Sequence, residues 1–132
     1  MIKNPKPYLK DILFHQKKPA TIKFRNGIIL SLYYPRHINE VWLYEIYNPK
    51  GFEIKKDDLV IDIGANVGSF SIFAANKGAR VFSFEPDKKN FEMIKKNIHQ
   101  NNFQNKIIAI NKGVTSKTER REFFFGLKKS RM

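Results

Sequence analysis

The feature that most constrains this chain is a five-residue turn, Gly64-Ala65-Asn66-Val67-Gly68, set directly after the apolar run Leu59-Val60-Ile61-Asp62-Ile63. A short β-branched run of this kind suits a strand buried on both faces, as in a parallel sheet. Glycine at each end of the turn and asparagine between them, a residue that tolerates left-handed backbone, suit a sharp reversal into a helix read at Ser69 to Asn76. Lys77-Gly78 stops that helix. Arg80 to Glu85 reads as a second strand, closed by Pro86, with Asp87 placed to cap a helix reaching about Asn101. Phe91, Ile94 and Ile98 share one face of that helix, and His99 lies off it. Ile107 to Ile110 is a third strand. The order β-α-β-α-β predicts an α/β fold with a parallel sheet and right-handed crossovers.

The preceding region has a different texture. Ile22 and Phe24 alternate with Thr21, Lys23 and Arg25, Asn26-Gly27 follows, and Ile28 to Tyr34 resumes the apolar pattern. Asn-Gly between apolar runs predicts a two-residue hairpin turn with positive φ at both turn positions. Pro35 ends the second strand. Ile38, Val41, Trp42, Glu45 and Ile46 have helical spacing, which predicts a short helix over 38–47, stopped by Asn48-Pro49-Lys50-Gly51. Residues 1–58 are thus read as a lead-in and 59–132 as the sheet domain. Residues 1–18 form a polar start with one apolar patch, Ile12-Leu13-Phe14. Glu122 to Phe125 is a candidate extra edge strand, followed by a basic tail.

Composition narrows the chemistry. The chain has 132 residues, enough for one ordinary domain, and 42% hydrophobic residues, including twelve phenylalanines that are expected to carry much of its core. With no cysteine, disulfides, thiolate catalysis and Cys-based zinc sites are excluded. His15, His37 and His99 are far apart and form no metal-ligand motif, so no metal site is expected. No apolar run approaches membrane-spanning length, and the lysine- and proline-interrupted start has no signal-peptide core, which together predict a cytoplasmic protein with no membrane partner. A formal net charge of +13 suits contact with something anionic, but the lysines are scattered rather than blocked, which fits a generally basic composition better than a dedicated anion site.

The turn and the acid at the end of the next strand suit a nucleoside cofactor lying across the strand ends. Gly64 stands where a Cβ would meet the ligand, Gly68 lets the following helix start close to it, and Glu85 can accept both ribose hydroxyls. A dinucleotide fingerprint needs glycine at its first, third and sixth positions, which here are Gly64, Asn66 and Ser69. No Gly-Lys-Ser/Thr phosphate loop occurs. S-adenosylmethionine has no phosphate and needs an acid near its amino group, a turn that admits its methionyl part and an acid on its ribose; Asp62, the 64–68 turn and Glu85 supply that set.

Val60-Ile-Asp-Ile-Gly-Ala-Asn-Val-Gly-Ser-Phe-Ser and Val81-Phe-Ser-Phe-Glu-Pro-Asp-Lys-Lys-Asn-Phe-Glu together resemble the FkbM-type S-adenosylmethionine-dependent methyltransferases. Ile110-Asn-Lys-Gly-Val114 is similar to the segment after the third strand of that family. The resemblance spans roughly 20–126 and is most specific over 59–114. It implies a Rossmann-like methyltransferase sheet, of which this chain holds the N-terminal half. It places Asp62, Gly64, Ala65, Asn66 and Gly68 along the methionine side, Glu85 on the ribose and Val114 at the adenine edge. It also implies O-methylation of a sugar or other small metabolite. The family's later acidic Lys-Ile-Asp-x-Glu-Gly type motif does not occur, so a truncated chain is expected, with one edge of its central strand open to self-association. No catalytic base is named. Two rival readings stand beside this one. An RNA methyltransferase is suggested by an Asp-x-x-Ala-x-Val-Gly-x-Phe-Ser stretch similar to that of archaeal tRNA methyltransferases and by the basic charge. A non-catalytic cofactor-binding remnant, or half of a split protein, is suggested by the short length.

Overall fold

A computed structural model describes residues 19–33 and 38–120. The apolar patch at 12–14, Pro35, and the candidate strand at 122–125 with its tail lie outside the described residues.

Strands β1 (Ala20–Lys23) and β2 (Ile29–Leu32) pair antiparallel, with Ala20 opposite Leu32 and Lys23 opposite Ile29. Their connection is a three-residue loop rather than the expected two-residue turn. Gly27 N–H donates to Phe24 O, Phe24 N–H donates to Ile28 O at 2.8 Å, and only Gly27 has positive φ, at 90°. This is the turn-plus-bulge solution, in which a single glycine supplies the left-handed residue. Asn26 is used differently: its Oδ1 accepts from Ile28 N–H at 3.2 Å.

The short helix expected over 38–47 reduces to one wide turn, Asn39–Leu43, closed by Tyr44 N–H donating to Asn39 O. The segment is rich in β-branched and aromatic residues and too short to nucleate a helix alone. Glu45 then takes φ 45° and breaks the path, and Ile46 is half exposed. Trp42 fixes the turn by tertiary contact: its ring stacks on Phe24 at 4.6 Å and meets Phe73 edge-on at 5.3 Å.

The parallel unit follows the sequence reading closely. Strands β3 (Leu59–Ile63), β4 (Arg80–Phe84) and β5 (Ile107–Ile110) form a parallel sheet in the order β3-β4-β5. Helices α1 (Ser69–Asn76) and α2 (Lys88–Gln100) make the crossovers. Asp87 caps α2 as expected, its side chain accepting from Asn90 N–H at 2.8 Å. Strand register puts Ile61 beside Phe82 and Ile108, and Asp62 beside Ser83 and Ala109.

That register corrects the expectation that β3 is buried on both faces. Val81, Ser83 and Ile107 are buried, whereas Leu59, Ile61, Ile63 and Ile108 are 54–62% exposed. Two right-handed crossovers that step the same way across a sheet place both helices on one side, and the opposite face stays bare. The core is correspondingly aliphatic. Ile22, Leu30, Leu32, Ile38, Ile72, Val81 and Ile94 are fully buried, and of the described phenylalanines only Phe24 and Phe73 are buried. Phe82 and Phe84 belong to the uncovered face, and Phe52 is 84% exposed.

The hairpin and the sheet share one hydrophobic cluster. Polar groups also tie them together. Asn97, fully buried on α2, accepts from Ser31 N–H at 2.7 Å and donates to Ser31 O at 2.9 Å. One helical turn later, Asn101 accepts from Ile29 N–H at 2.8 Å and donates to Ile29 O at 2.6 Å. Each side-chain amide presents one donor and one acceptor to a residue of β2 and so imitates a neighbouring strand.

Candidate functional site

The turn expected to carry function lies where β3 and β4 end. Gly64 and Ala65 N–H groups both donate to Phe84 O at 2.9 Å, and Gly68 N–H donates to Ala65 O at 2.8 Å. Asn66 has φ 54°, the left-handed conformation that the sequence anticipated at this position. Gly68 has φ 78°, and a Cβ there would lie 3.3 Å from Ile94 of α2, so this glycine permits close helix packing. A Cβ on Gly64 would meet no protein atom within 4 Å, which leaves open space beside the turn.

Glu85 holds the turn in shape. It is buried, with 5% exposure, and its two carboxylate oxygens take different backbone donors. Oε2 accepts from Asn66 N–H at 2.8 Å and Oε1 from Asp87 N–H at 2.9 Å. The carboxylate therefore clips the 64–68 turn to the start of α2. Each carboxylate oxygen keeps a lone pair beyond the one that these backbone donors use.

Asp62 points to the helix side of the sheet, where its Oδ2 accepts from Ser71 Oγ at 2.5 Å. Ser71 Oγ is also 2.7 Å from Ser83 Oγ, and both serines are fully buried. Burial pushes the Asp62 carboxyl above the usual aspartate value; the hydrogen bonds from Ser71 oppose this, and the nearby Glu85 charge adds to it. A cation placed near Asp62 would relieve the cost of its charge.

The structure brings Asp62, Gly64, Ala65, Asn66, Gly68 and Glu85 together. The segment after β5 is tied to the same end of the sheet: Asn111 Nδ2 donates to Glu85 O at 2.8 Å and to Pro86 O at 3.2 Å, and Gly113 lies beside Pro86. Val114 itself is half exposed and outside the core cluster. Asn97 was not singled out from sequence, yet its Nδ2 donates to Val67 O at 2.7 Å and so connects β2 to the turn. The available signal was an asparagine beside the apolar face marked by Ile94 and Ile98. Trp42 Nε1 donates to Ser69 Oγ at 3.1 Å, fixing the first residue of α1. Among the described residues no group of three or more His, Asp or Glu side chains is placed to hold a metal ion, and no helix is long and apolar enough to cross a membrane.

Comparison with known proteins finds similarity to methyltransferases of both kinds. The TRM5/TYW2 methyltransferase domain model matches residues 49–124, more than half the chain. A putative transferase of Pyrococcus horikoshii superimposes with a TM-score of 0.58 at 27% identity, over 76% of this chain and 38% of its own. The tRNA m1G37 methyltransferase of Methanocaldococcus jannaschii gives 0.56 at 27% identity, over 72% of this chain and 30% of its own. The 31-O-demethyl-FK506 methyltransferase FkbM of Streptomyces tacrolimicus is 30% identical over 88 residues, covering 58% of this chain and 32% of its own length. The chain thus spans about a third of the length of these relatives. The FkbM resemblance persists as a distant similarity, while the domain model names a different group. The match over more than half of its length, together with the Rossmann-like α/β sheet, places the chain in the TRM5/TYW2 methyltransferase domain family.

Proposed function

We infer that this chain forms the S-adenosylmethionine-binding part of a methyltransferase acting on RNA, with a tRNA nucleotide as the acceptor. The observation that carries this reading is the Glu85-clipped 64–68 turn within a segment matched by the TRM5/TYW2 domain. A related structure, TYW2 of P. horikoshii in complex with MeSAdo, has a TM-score of 0.57 at 25% identity over 76% of this chain. The net charge of +13 agrees with a polyanionic substrate. RNA replaces the sugar acceptor expected from the FkbM resemblance.

The residues present fit the cofactor. Open space beside Gly64 would admit the methionyl part, Asp62 would offer a negative charge to its ammonium group, and Glu85 would accept from the ribose hydroxyls. When bound, S-adenosylmethionine supplies an activated methyl group. The turn's contribution is orientation, which in aligned reactions is worth about 7–11 kcal/mol of the barrier. Glu85 sets the backbone of Asn66, Asn97 sets that of Val67, and Gly68 lets α2 pack closely against the turn.

A second reading, O-methylation of a small metabolite, is favoured by the 30% identity to the S. tacrolimicus enzyme. Two assays decide. Calorimetric titration with S-adenosylhomocysteine should show saturable binding that Glu85→Gln weakens about tenfold. Transfer of radiolabelled methyl from S-adenosylmethionine should then be compared on unmodified tRNA transcripts and on a hydroxylated small-molecule panel. Incorporation into tRNA supports the first reading, and incorporation confined to the small molecules supports the second.

A further inference from the structure

We propose that the cleft between the end of β2 and the first three turns of α2 holds the phosphate backbone of the RNA substrate. This rests on the reading of the protein as an RNA methyltransferase and gives it a docking surface.

The cleft has a volume of about 730 Å³, and its lining includes three lysines, Lys88, Lys89 and Lys96, and two carboxylates, Asp87 and Glu92, beside Pro19, Tyr33 and Met93. Lys89, Met93 and Lys96 follow i, i+4, i+7 spacing, so they form one stripe about 10 Å long on the helix. The two carboxylates are already engaged. Asp87 accepts the Asn90 N–H of the helix cap, and both Glu92 oxygens lie within 3.3 Å of Lys95 Nζ. Lys88 and Lys96 have no carboxylate partner among the described residues, whereas Lys77 and Lys95 do. Lys89 is held 3.9 Å over the Tyr33 ring, which fixes its ammonium at the cleft without neutralising it. The cleft therefore joins three lysines and the single carboxylate without a lysine partner, Asp87, to an aromatic ring and two apolar side chains, Pro19 and Met93, and keeps an excess of positive charge.

That combination suits a nucleic-acid strand, which offers phosphates to lysines and sugar or base surface to apolar walls. Its position suits the same occupant. Asp87 and Lys88 follow directly on Glu85-Pro86, so a strand lying in the cleft passes beside the cofactor turn.

The test uses fluorescence polarisation of a labelled, unmodified tRNA transcript. Lys89→Glu/Lys96→Glu should weaken binding at least tenfold and reduce the slope of log affinity against log salt by about 2. Lys89→Met/Lys96→Met, which keeps the apolar stems, should lie between this variant and the parent. Lys50→Glu/Lys55→Glu carries the same change in net charge away from the cleft and should alter affinity no more than about threefold. S-adenosylhomocysteine affinity should stay unchanged in all three variants, which shows that each still folds. Equal losses from the two charge reversals, or no loss from either, overturn the proposal. So does binding to phosphatidylglycerol vesicles that needs Lys89 and Lys96 and that tRNA fails to displace. Cleft-dependent tRNA binding without methyl transfer to tRNA would instead overturn the functional reading and leave the cleft standing.

Discussion

Asn97→Ala should be the most damaging single truncation of a polar side chain in α2. The buried amide makes four hydrogen bonds: it accepts from Ser31 N–H and Gln100 Nε2 and donates to Ser31 O and Val67 O. Truncation strands both backbone groups of Ser31 and the Val67 carbonyl. Ser31 is fully buried, so water reaches it poorly. A stranded buried group costs about 1–3 kcal/mol. Some relaxation at Val67 brings the expected total to about 3–5 kcal/mol, a large share of the roughly 5–15 kcal/mol that holds a typical domain together. Urea unfolding followed by far-UV circular dichroism measures this directly. Asn101→Ala is the internal comparison, because that amide is part-buried and contacts Ile29 rather than the turn. It should cost less and leave S-adenosylhomocysteine affinity unchanged, whereas Asn97→Ala should weaken it by freeing Val67. A loss below about 1 kcal/mol for Asn97→Ala would refute the view that this amide joins the hairpin to the turn.

Three further outcomes follow from the site. Gly68→Ala should destabilise by about 1–3 kcal/mol, because an L residue at φ 78° is strained and its Cβ meets Ile94; a melting curve matching the parent would contradict this. The Asp62 carboxyl sits above its unfolded value, so the folded state holds its proton longer and stability falls as pH rises from the ordinary aspartate range through that raised value. Asp62→Asn should therefore melt at or above the parent temperature at pH 7, lose that advantage at acidic pH and bind S-adenosylhomocysteine less tightly; a parent that gains stability relative to Asp62→Asn across that pH range would reverse the assignment. Trp42 is the sole tryptophan and bonds to Ser69 beside the turn, so its fluorescence should change on addition of S-adenosylhomocysteine, and Ser69→Ala should reduce that change.

The parallel unit was legible because its signals are local. Gly64 and Gly68 bracket the turn, Asp87 caps α2, and the apolar runs of β3, β4 and β5 are separated by helical spacing. The 64–68 turn and Glu85 were legible for the same reason, since the geometry of a strand-turn-helix follows from a few adjacent residues. Features decided by distant contacts were not. Residues 38–47 have helical spacing, but Trp42 is recruited by Phe24, Phe73 and Ser69, and a single wide turn results. The bareness of one sheet face depends on which side the crossovers take, which the β-branched run of β3 does not encode. Asn97 looks like an ordinary polar helix residue until β2 is brought against it. Glu85 was assigned to the ribose, yet its first task is to hold the backbone of Asn66 and Asp87.

The bare sheet face changes what stability means for this molecule. Leu59, Ile61, Ile63 and Ile108 are each more than half exposed on one continuous surface, and in the order β3-β4-β5 the outer edge of β3 has no neighbour among the described residues. Covering those four side chains would add about 1 kcal/mol each, or about 4 kcal/mol together. That gain approaches the low end of the roughly 5–15 kcal/mol margin of a typical domain. Any surface that lies on this face is then thermodynamically linked to folding, and by mass action the midpoint of unfolding should climb with the concentration of whatever covers it. The melting temperature of this chain is accordingly a property of its surroundings as much as of its own core.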